Sequence, residues 1–208
     1  MSAGRAHAGF TGGGWVFVCG PSGSGKDSVI AAARQLLGGR SDIVFSRRVV
    51  TRAVHTESEH DAVEESVFGE LVLSGELCWH WQAHGFGYGI ARHYADDVSR
   101  GRLVVVNGSR AHVTGLPSSP HVRVVQIAAE PDQLARRLAL RGRDTTAAVA
   151  ERLARNSHFA NMQAELVIVN DGELAAAGQR LADYLDSAVT PMGVACDATH
   201  LALSRTDR

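Results

Sequence analysis

The apolar residues of this chain fall into short runs separated by longer amphipathic stretches. Trp15-Val16-Phe17-Val18-Cys19 is apolar at every position and stops at a glycine, the pattern of a strand buried on both faces. From Gly25 to Leu37 the period becomes helical, with Val29, Ile30, Ala33, Leu36 and Leu37 on one side and Gly38-Gly39 ending it. Ile43 to Val50 predicts a second strand, and the polar, aperiodic residues 52–65 predict a loop. Glu64 to Ser74 has a helical period, and Leu77 to Ile90, rich in aromatics and glycine, predicts two short strands joined by a turn. A helix is expected from Arg92 to Arg100, then a central strand at Leu103-Val104-Val105-Val106, ended by Asn107-Gly108. Val122 to Ala128 predicts another strand, with Pro131 at the following helix start. Helices are predicted over 132–141 and 146–160, a last strand over Leu166 to Val169, and a closing helix over Glu173 to Ala188. Strands alternating with helices predict an α/β fold with a doubly wound parallel sheet.

Between the first strand and the first helix lies the turn Gly20-Pro21-Ser22-Gly23-Ser24-Gly25-Lys26-Asp27-Ser28. Its Lys26 is the single lysine among the 21 lysine and arginine residues. Gly-x4-Gly-Lys in a strand–turn–helix context is the spacing of a phosphate-cradling loop. Successive backbone N–H groups face a concave turn, and the helix adds its positive N-terminal end. An ammonium on a flexible stem reaches between β- and γ-phosphates better than a planar guanidinium does. The residues therefore predict binding of a nucleoside triphosphate. The hydroxyl residue that usually follows the lysine is displaced by one place: Asp27 stands there, with Ser28 next. A carboxylate is a hard oxygen ligand suited to Mg²⁺, so Asp27 is a candidate metal contact; the alternative is an acidic cap on the helix dipole.

Composition narrows the partners. A chain of 208 residues with 45% apolar content and mean hydropathy near zero suits one globular domain. The net charge of −1 argues against nucleic acid as a ligand. Cys19, Cys78 and Cys196 are widely spaced, which signals neither a zinc site nor a disulfide framework; reduced cytoplasmic thiols are expected. The glycine-rich first residues lack the apolar stretch of a secretory signal, and no apolar run approaches the roughly 20 residues that span a bilayer.

A second cationic feature is Arg136-Arg137-Leu138-Ala139-Leu140-Arg141-Gly142-Arg143-Asp144, followed by Arg152. Arg137 and Arg141 share a helix face, and Gly142 allows Arg143 to swing. Phosphoryl transfer is largely positioning plus charge stabilisation, which arginines serve well, so Arg137, Arg141 and Arg143 are candidate catalytic groups of a lid. By itself such a run better fits a solvated surface paired with Glu130, Asp132 or Glu151; the phosphate loop upstream, at the spacing of a small-molecule kinase lid, reverses that preference.

The chain resembles the guanylate-kinase-like group of P-loop kinases. The resemblance rests on Gly20 to Lys26, Thr51-Arg52, His84-Gly85-Phe86-Gly87-Tyr88-Gly89, the Arg136–Asp144 lid with Arg152-Leu153-Ala154, and Val169-Asn170-Asp171. Within that group it is similar to the ribose 1,5-bisphosphate phosphokinase family, through Gly25-Lys26-Asp27-Ser28, Val106-Asn107-Gly108-Ser109-Arg110-Ala111-His112, Trp81 to Gly89 and Asn170-Asp171-Gly172. It implies a three-layer α/β/α fold with a mostly parallel five-stranded sheet, a small acceptor-binding lobe and an arginine lid. The expected organisation is a flexible lead-in over 1–13, a kinase domain over 14–189 with the lobe at about 51–91 and the lid at about 141–147, and a tail over 190–208. The implied activity is transfer of the ATP γ-phosphoryl group, with Mg²⁺, to the 1-phosphate of ribose 1,5-bisphosphate, yielding 5-phosphoribosyl 1-diphosphate and ADP. The family is linked to phosphonate breakdown.

True guanylate kinases carry an arginine pair, a downstream tyrosine and an acid for the guanine edge. Here Arg52 matches the first arginine, but His55 stands at the second, His60-Asp61-Ala62-Val63 covers the tyrosine region, and Cys78-Trp79-His80-Trp81 holds no carboxylate. Glu76 lies close enough to keep a guanylate kinase as an alternative, and a non-catalytic binding module is a second one. A phosphate acceptor is already ionised near neutral pH, so no general base is assigned. Arg52 is expected at the acceptor 1-phosphate. Arg47, Arg48, Arg92, Arg110 and His112 are candidates for the second phosphate, and Tyr88 and Arg152 for the acceptor generally. Trp79, Trp81, Phe86 and Tyr88 are expected to form a wall of the lobe rather than a stacking platform. Asn107, neutral where many P-loop kinases carry a carboxylate, is a candidate for the Mg²⁺ shell, with Asp27 supplying the missing charge. The expected partner is a small molecule, with neither nucleic acid nor membrane; the oligomeric state is left open, a homodimer being one expectation.

Overall fold

The computed structural model describes residues 10, 12–53, 60–140, 159 and 162–189. Its first half runs β1 (Gly14–Cys19), α1 (Lys26–Leu36), β2 (Ile43–Phe45), β3 (Arg48–Val50), β4 (His60–Ala62), α2 (Glu65–Leu73), β5 (Leu77–Ala83) and β6 (Phe86–Ala91). There follow α3 (His93–Ser99), β7 (Leu103–Asn107), α4 (Arg110–Thr114), β8 (Val122–Ala128), α5 (Pro131–Leu140), β9 (Leu166–Val169) and α6 (Leu174–Val189).

β1 is buried along its whole length because it is the middle strand of a five-stranded parallel sheet ordered β2-β7-β1-β8-β9. Alternating side chains leave a strand on opposite faces. Val16 and Val18 join Val29, Ile30 and Ala33 of α1 and Leu181 and Leu185 of α6 in one core. Trp15, Phe17 and Cys19 join Val104, Val106, Trp81, Tyr88 and Val113 in a second core on the other face. Two separate cores explain the unbroken apolar run. The glycine-rich turn Gly20–Lys26 leaves the C-terminal end of this strand, where open α/β sheets place their ligands.

The stretch expected as one strand from Ile43 to Val50 is two. Both the backbone N–H and the hydroxyl of Ser46 donate to the carbonyl of Val105, at 2.9 and 3.0 Å, which ends the ladder with β7. Arg47 N–H then donates to the Tyr94 hydroxyl at 2.9 Å, and the chain enters a second sheet ordered β4-β3-β6-β5. β4 lies within the region expected as loop; its three residues are too short for a period to show. The two strands expected between Leu77 and Ile90 are β5 and β6, joined through His84 (φ 53°) and Gly85 (φ 76°). Two consecutive residues at positive φ make the turn whose twist suits a hairpin. The short helix α4 was not expected from the sequence.

The lead-in expected to be flexible through residue 13 is already packed at Phe10. Its ring is buried, its N–H donates to Ala188 at 3.0 Å, and the Arg123 guanidinium stands 4.0 Å from the ring centroid. Most of the predicted 146–160 helix, the lid at 141–147 and the 190–208 tail lie outside the described residues. No helix among the described residues is long and apolar enough to cross a membrane.

Candidate active site

The turn after β1 is shaped by its own backbone. Gly23 and Gly25 take φ of 90° and 78°, Ser24 N–H donates to Pro21 at 3.2 Å, and Val29 N–H closes the first helical turn on Gly25 at 3.0 Å. A left-handed backbone at Gly25 is one reason for glycine there, and crowding is the other. A Cβ on Gly25 would sit 2.5 Å from Nδ2 of Asn170. That amide is buried and donates to the Ser24 carbonyl at 2.8 Å. Gly25→Ala is therefore expected to weaken nucleotide binding at least tenfold, since left-handed strain alone costs about 1–3 kcal/mol. Titration calorimetry with a nonhydrolysable ATP analogue measures it, and unchanged affinity would contradict this account of the loop.

Two cavities meet at this turn, and Gly23 and Gly25 line both. The first, about 330 Å³, is completed by Ser28, Arg137, Asn170, Gly172 and Leu174. Arg137 donates from Nη2 to the Asn170 carbonyl at 2.9 Å, while its Nη1 is buried with no partner among the described residues. An unsatisfied buried guanidinium N–H beside a phosphate loop is a place for an anionic oxygen. Asn170 thus ties three elements together: the loop, α5 and the end of β9. The sequence pointed to Asn170 only through resemblance, without a role; its place after a parallel strand end was the one local signal.

The second cavity, about 380 Å³, lies between the turn and the small sheet. Lys26, Arg48, Arg52 and Arg110 line it, with Trp81, Tyr88, His84 and Phe159. Asp27 is the one carboxylate among its described lining residues. Burial pushes the Lys26 ammonium below its ordinary range; Asp27 and Cys19 oppose that, whereas Arg48 and Arg110 add to it. Arg110 is likewise lowered, by burial first, and its guanidinium stands 4.6 Å from the centroid of the Phe159 ring. Such a concentration of enclosed positive charge calls for a polyanion.

The expected site residues are distributed as follows. Gly20, Pro21, Ser22, Gly23, Gly25, Lys26 and Asp27 line the second cavity, and Ser28 lines the first. Ser24 is fully buried behind the turn and contributes through its backbone. Arg48, Arg52, Tyr88 and Arg110 line the second cavity. His112 does not line it: its ring stacks 4.8 Å from Trp81 at 22°, in the aromatic layer behind the wall, and burial lowers its pKa. Arg47 is engaged with the Asp61 carboxylate and the His60 carbonyl, and Arg92 with the Gly75 carbonyl at 2.8 Å, so both serve the lobe itself. Trp81 and Tyr88 stack on each other at 5.6 Å and 7°, each less than a tenth exposed, which makes them wall. Arg141, Arg143 and Arg152 lie outside the described residues. The sequence reading did not anticipate His84, Ser109 or Phe159 in the lining.

Asn107, at the end of β7, donates from Nδ2 to the Asp27 carboxylate. The two residues singled out as departures from the usual pattern are hydrogen-bonded partners. Asn107 Oδ1 is buried with no protein partner, so one carboxylate and one orphaned amide oxygen stand together beside Lys26. That donor set fits Mg²⁺, which takes few protein oxygens and completes its shell with phosphate and water. Cys19, immediately before the turn, is fully buried and its thiol is pushed up to about 12 by that burial, so it is protonated and unreactive at neutral pH.

A parallel five-stranded sheet with a phosphate loop and a cation-lined cavity under a small second sheet defines a P-loop kinase of the guanylate-kinase-like fold. The solved guanylate kinase of Anaplasma phagocytophilum superposes with a TM-score of 0.63, covering 88% of each chain at 21% identity. No family model matches the sequence. The chain is 40% identical over 171 residues to the ribose 1,5-bisphosphate phosphokinase of Methylobacterium radiotolerans, covering 82% of this chain and 96% of that one. It is 39% identical over 178 residues to the protein of the same name from Thiobacillus denitrificans, covering 83% and 92%. The chain belongs to the ribose 1,5-bisphosphate phosphokinase family.

Proposed function

We propose that the protein transfers the γ-phosphoryl group of ATP to the 1-phosphate of ribose 1,5-bisphosphate, giving 5-phosphoribosyl 1-diphosphate and ADP. The observation that carries this reading is the second cavity, with four cationic side chains and a single described carboxylate on its walls. In this reading ATP lies with its nucleoside toward Gly172 and Leu174 and its phosphates in the turn, within reach of Arg137. The acceptor lies across the turn, against the small sheet, which serves as the acceptor lobe.

An oxygen of the acceptor 1-phosphate forms the new bond to the γ-phosphorus. The bond to the β–γ bridging oxygen breaks, and its electron pair leaves with ADP. The attacking oxygen is already ionised, so no side chain has to remove a proton. Lys26 and Arg137 offset charge on the donor and on the transferring group, joined in this reading by the lid arginines Arg141 and Arg143. Arg52, Arg48 and Arg110 hold the acceptor phosphates apart from their mutual repulsion. Asp27 and Asn107 would hold Mg²⁺, which when bound neutralises phosphate charge. The cytoplasm supplies ATP and keeps free thiols such as Cys19 and Cys78 reduced.

The guanylate alternative needs an acceptor for the guanine N–H donors. Glu76 is exposed before β5 and absent from the cavity lining, so it does not supply one. Among the described lining residues the one carboxylate is Asp27, in the phosphate turn, so a guanine there lacks a charged acceptor, which costs about 1–3 kcal/mol. A binding module has no use for Arg137 Nη1 held unsatisfied at the donor cavity. The test is an acceptor screen with Mg-ATP, read by coupled ADP release and by phosphorus NMR of the product. Ribose 1,5-bisphosphate is expected to give a C1 diphosphate ester, with GMP at least about a hundredfold poorer in kcat/KM. GMP turnover equal to or better than that of the sugar bisphosphate overturns the assignment.

A further inference from the structure

Among the described residues of the small lobe, His60 is the most deeply buried ionisable side chain, 1% exposed, and it lines neither cavity. Its Nε2 lies 3.0 Å from the carbonyl oxygen of Arg52, which identifies that nitrogen as the N–H donor. The contact reaches across the strand pair at a place where the ladder has run out. β4 and β3 pair in parallel, Arg48 with His60, Val49 with Asp61 and Val50 with Ala62. Beyond Val50 the chain departs, and its next carbonyl groups need other partners.

The segment just past β3 is fixed from two sides. Gly87 N–H donates to the Thr51 hydroxyl at 2.8 Å, and Thr51 N–H donates back to the Gly87 carbonyl at 3.1 Å. That holds Thr51 to β6. The imidazole of His60 holds the following residue, Arg52, from the side of β4. His60 is itself fixed, since its carbonyl accepts from Arg47 Nη2 at 3.1 Å. The side chain that emerges from this doubly held segment lines the acceptor cavity. Its Nε is buried with no partner among the described residues, and its guanidinium lies 5.8 Å from the centroid of the Phe86 ring. A guanidinium with an unsatisfied Nε is productive only if its backbone is held so that the ligand oxygen meets it.

We infer that His60 is a positioning residue of the acceptor site: its imidazole clamps the main chain at Arg52, so that the Arg52 guanidinium is presented to an acceptor phosphate without rearrangement. This rests on the proposed reading of the second cavity as the acceptor site. His60 makes no contact with the donor side, so its loss acts on the acceptor alone.

The experiment compares His60→Phe, which keeps bulk and removes the donor, His60→Gln, which keeps an N–H donor, Arg52→Ala and the His60→Phe/Arg52→Ala double variant. His60→Phe is expected to raise the KM for ribose 1,5-bisphosphate about tenfold, with the KM for ATP unchanged and kcat less affected. His60→Gln is expected to recover most of that loss, and its milder change keeps the test available if His60→Phe does not fold. The double variant is expected to be no worse than Arg52→Ala, because a clamp has nothing to hold once its guanidinium is gone. Equal rises in both KM values, no recovery by glutamine, or additive losses in the double variant overturn the inference. In parallel, inorganic pyrophosphate is titrated into each variant saturated with a nonhydrolysable ATP analogue. If the wild type gives no transfer to the sugar bisphosphate, the functional reading fails; the pyrophosphate affinities then still show whether His60 and Arg52 act as one unit.

Discussion

Lys26→Met is expected to lower kcat for phosphoryl transfer by about 10³-fold or more, a barrier increase of about 4 kcal/mol. Lys26 stands in the turn that lines the first cavity and on the wall of the second, which in the proposed reading hold the donor and the acceptor. Its charge can follow the phosphoryl group from donor to acceptor. Methionine keeps the stem and removes the ammonium, so the loss reports charge rather than packing. Lys26→Arg is expected to recover little, because a planar guanidinium does not fit a cradle shaped for a compact cation. Rapid-quench single turnovers measure the chemical step, and a rate within tenfold of wild type would contradict the role.

The same residue predicts a pH dependence. Burial, reinforced by Arg48 and Arg110, lowers its pKa in the ligand-free protein, against the pull of Asp27 and Cys19. A bound triphosphate adds negative charge beside it and raises that pKa again. Binding therefore takes up protons where the free ammonium is partly neutral, and donor affinity falls as pH rises through the lowered value. Calorimetry in two buffers of different ionisation enthalpy is expected to show that uptake on the alkaline side.

Asp27→Ser is expected to reduce turnover by about 10²-fold and to weaken Mn²⁺ binding in the presence of an ATP analogue, read by the loss of free-ion signal in electron paramagnetic resonance. The hydrogen bond between Asn107 and Asp27 makes these two positions one unit. Asn107→Asp alone sets two carboxylates against each other at hydrogen-bond distance, which raises the pKa of one and disturbs the site. Combining Asp27→Ser with Asn107→Asp moves the negative charge from the helix to the strand end without changing the total. The double variant is expected to bind Mn²⁺ better than either single variant. Losses that add, in both metal binding and turnover, would show that the carboxylate has not simply changed places.

Much of this molecule is readable along the chain because local spacing reports local geometry. A run apolar at every position means a strand covered on both faces, and β1 is that. A Gly-x4-Gly-Lys turn between strand and helix means backbone N–H groups gathered in a concavity, and the turn forms the wall between two cavities. The break at Ser46 was not readable, since Ile43 to Val50 is apolar enough for one strand. The break comes from Val105, far away in sequence, which takes both donors of Ser46. Nor was β4 readable, because its partners make it a strand.

The sequence by itself determined that this protein cradles phosphates, through one lysine held in a glycine-rich turn, and that its sheet is parallel. Which cations meet the second substrate was decided only by tertiary structure. Arg47 and Arg48 are adjacent, yet one pairs with Asp61 and the other lines the acceptor cavity. Arg110 reaches that cavity, whereas His112 lies in the aromatic layer behind it. The physical reason is that nearby positions of one element face different ways: Arg47 and Arg48 are successive at the entry to β3, Arg110 and His112 lie about 200° apart around the helix α4, and packing against elements distant in the chain sets which side meets the cavity.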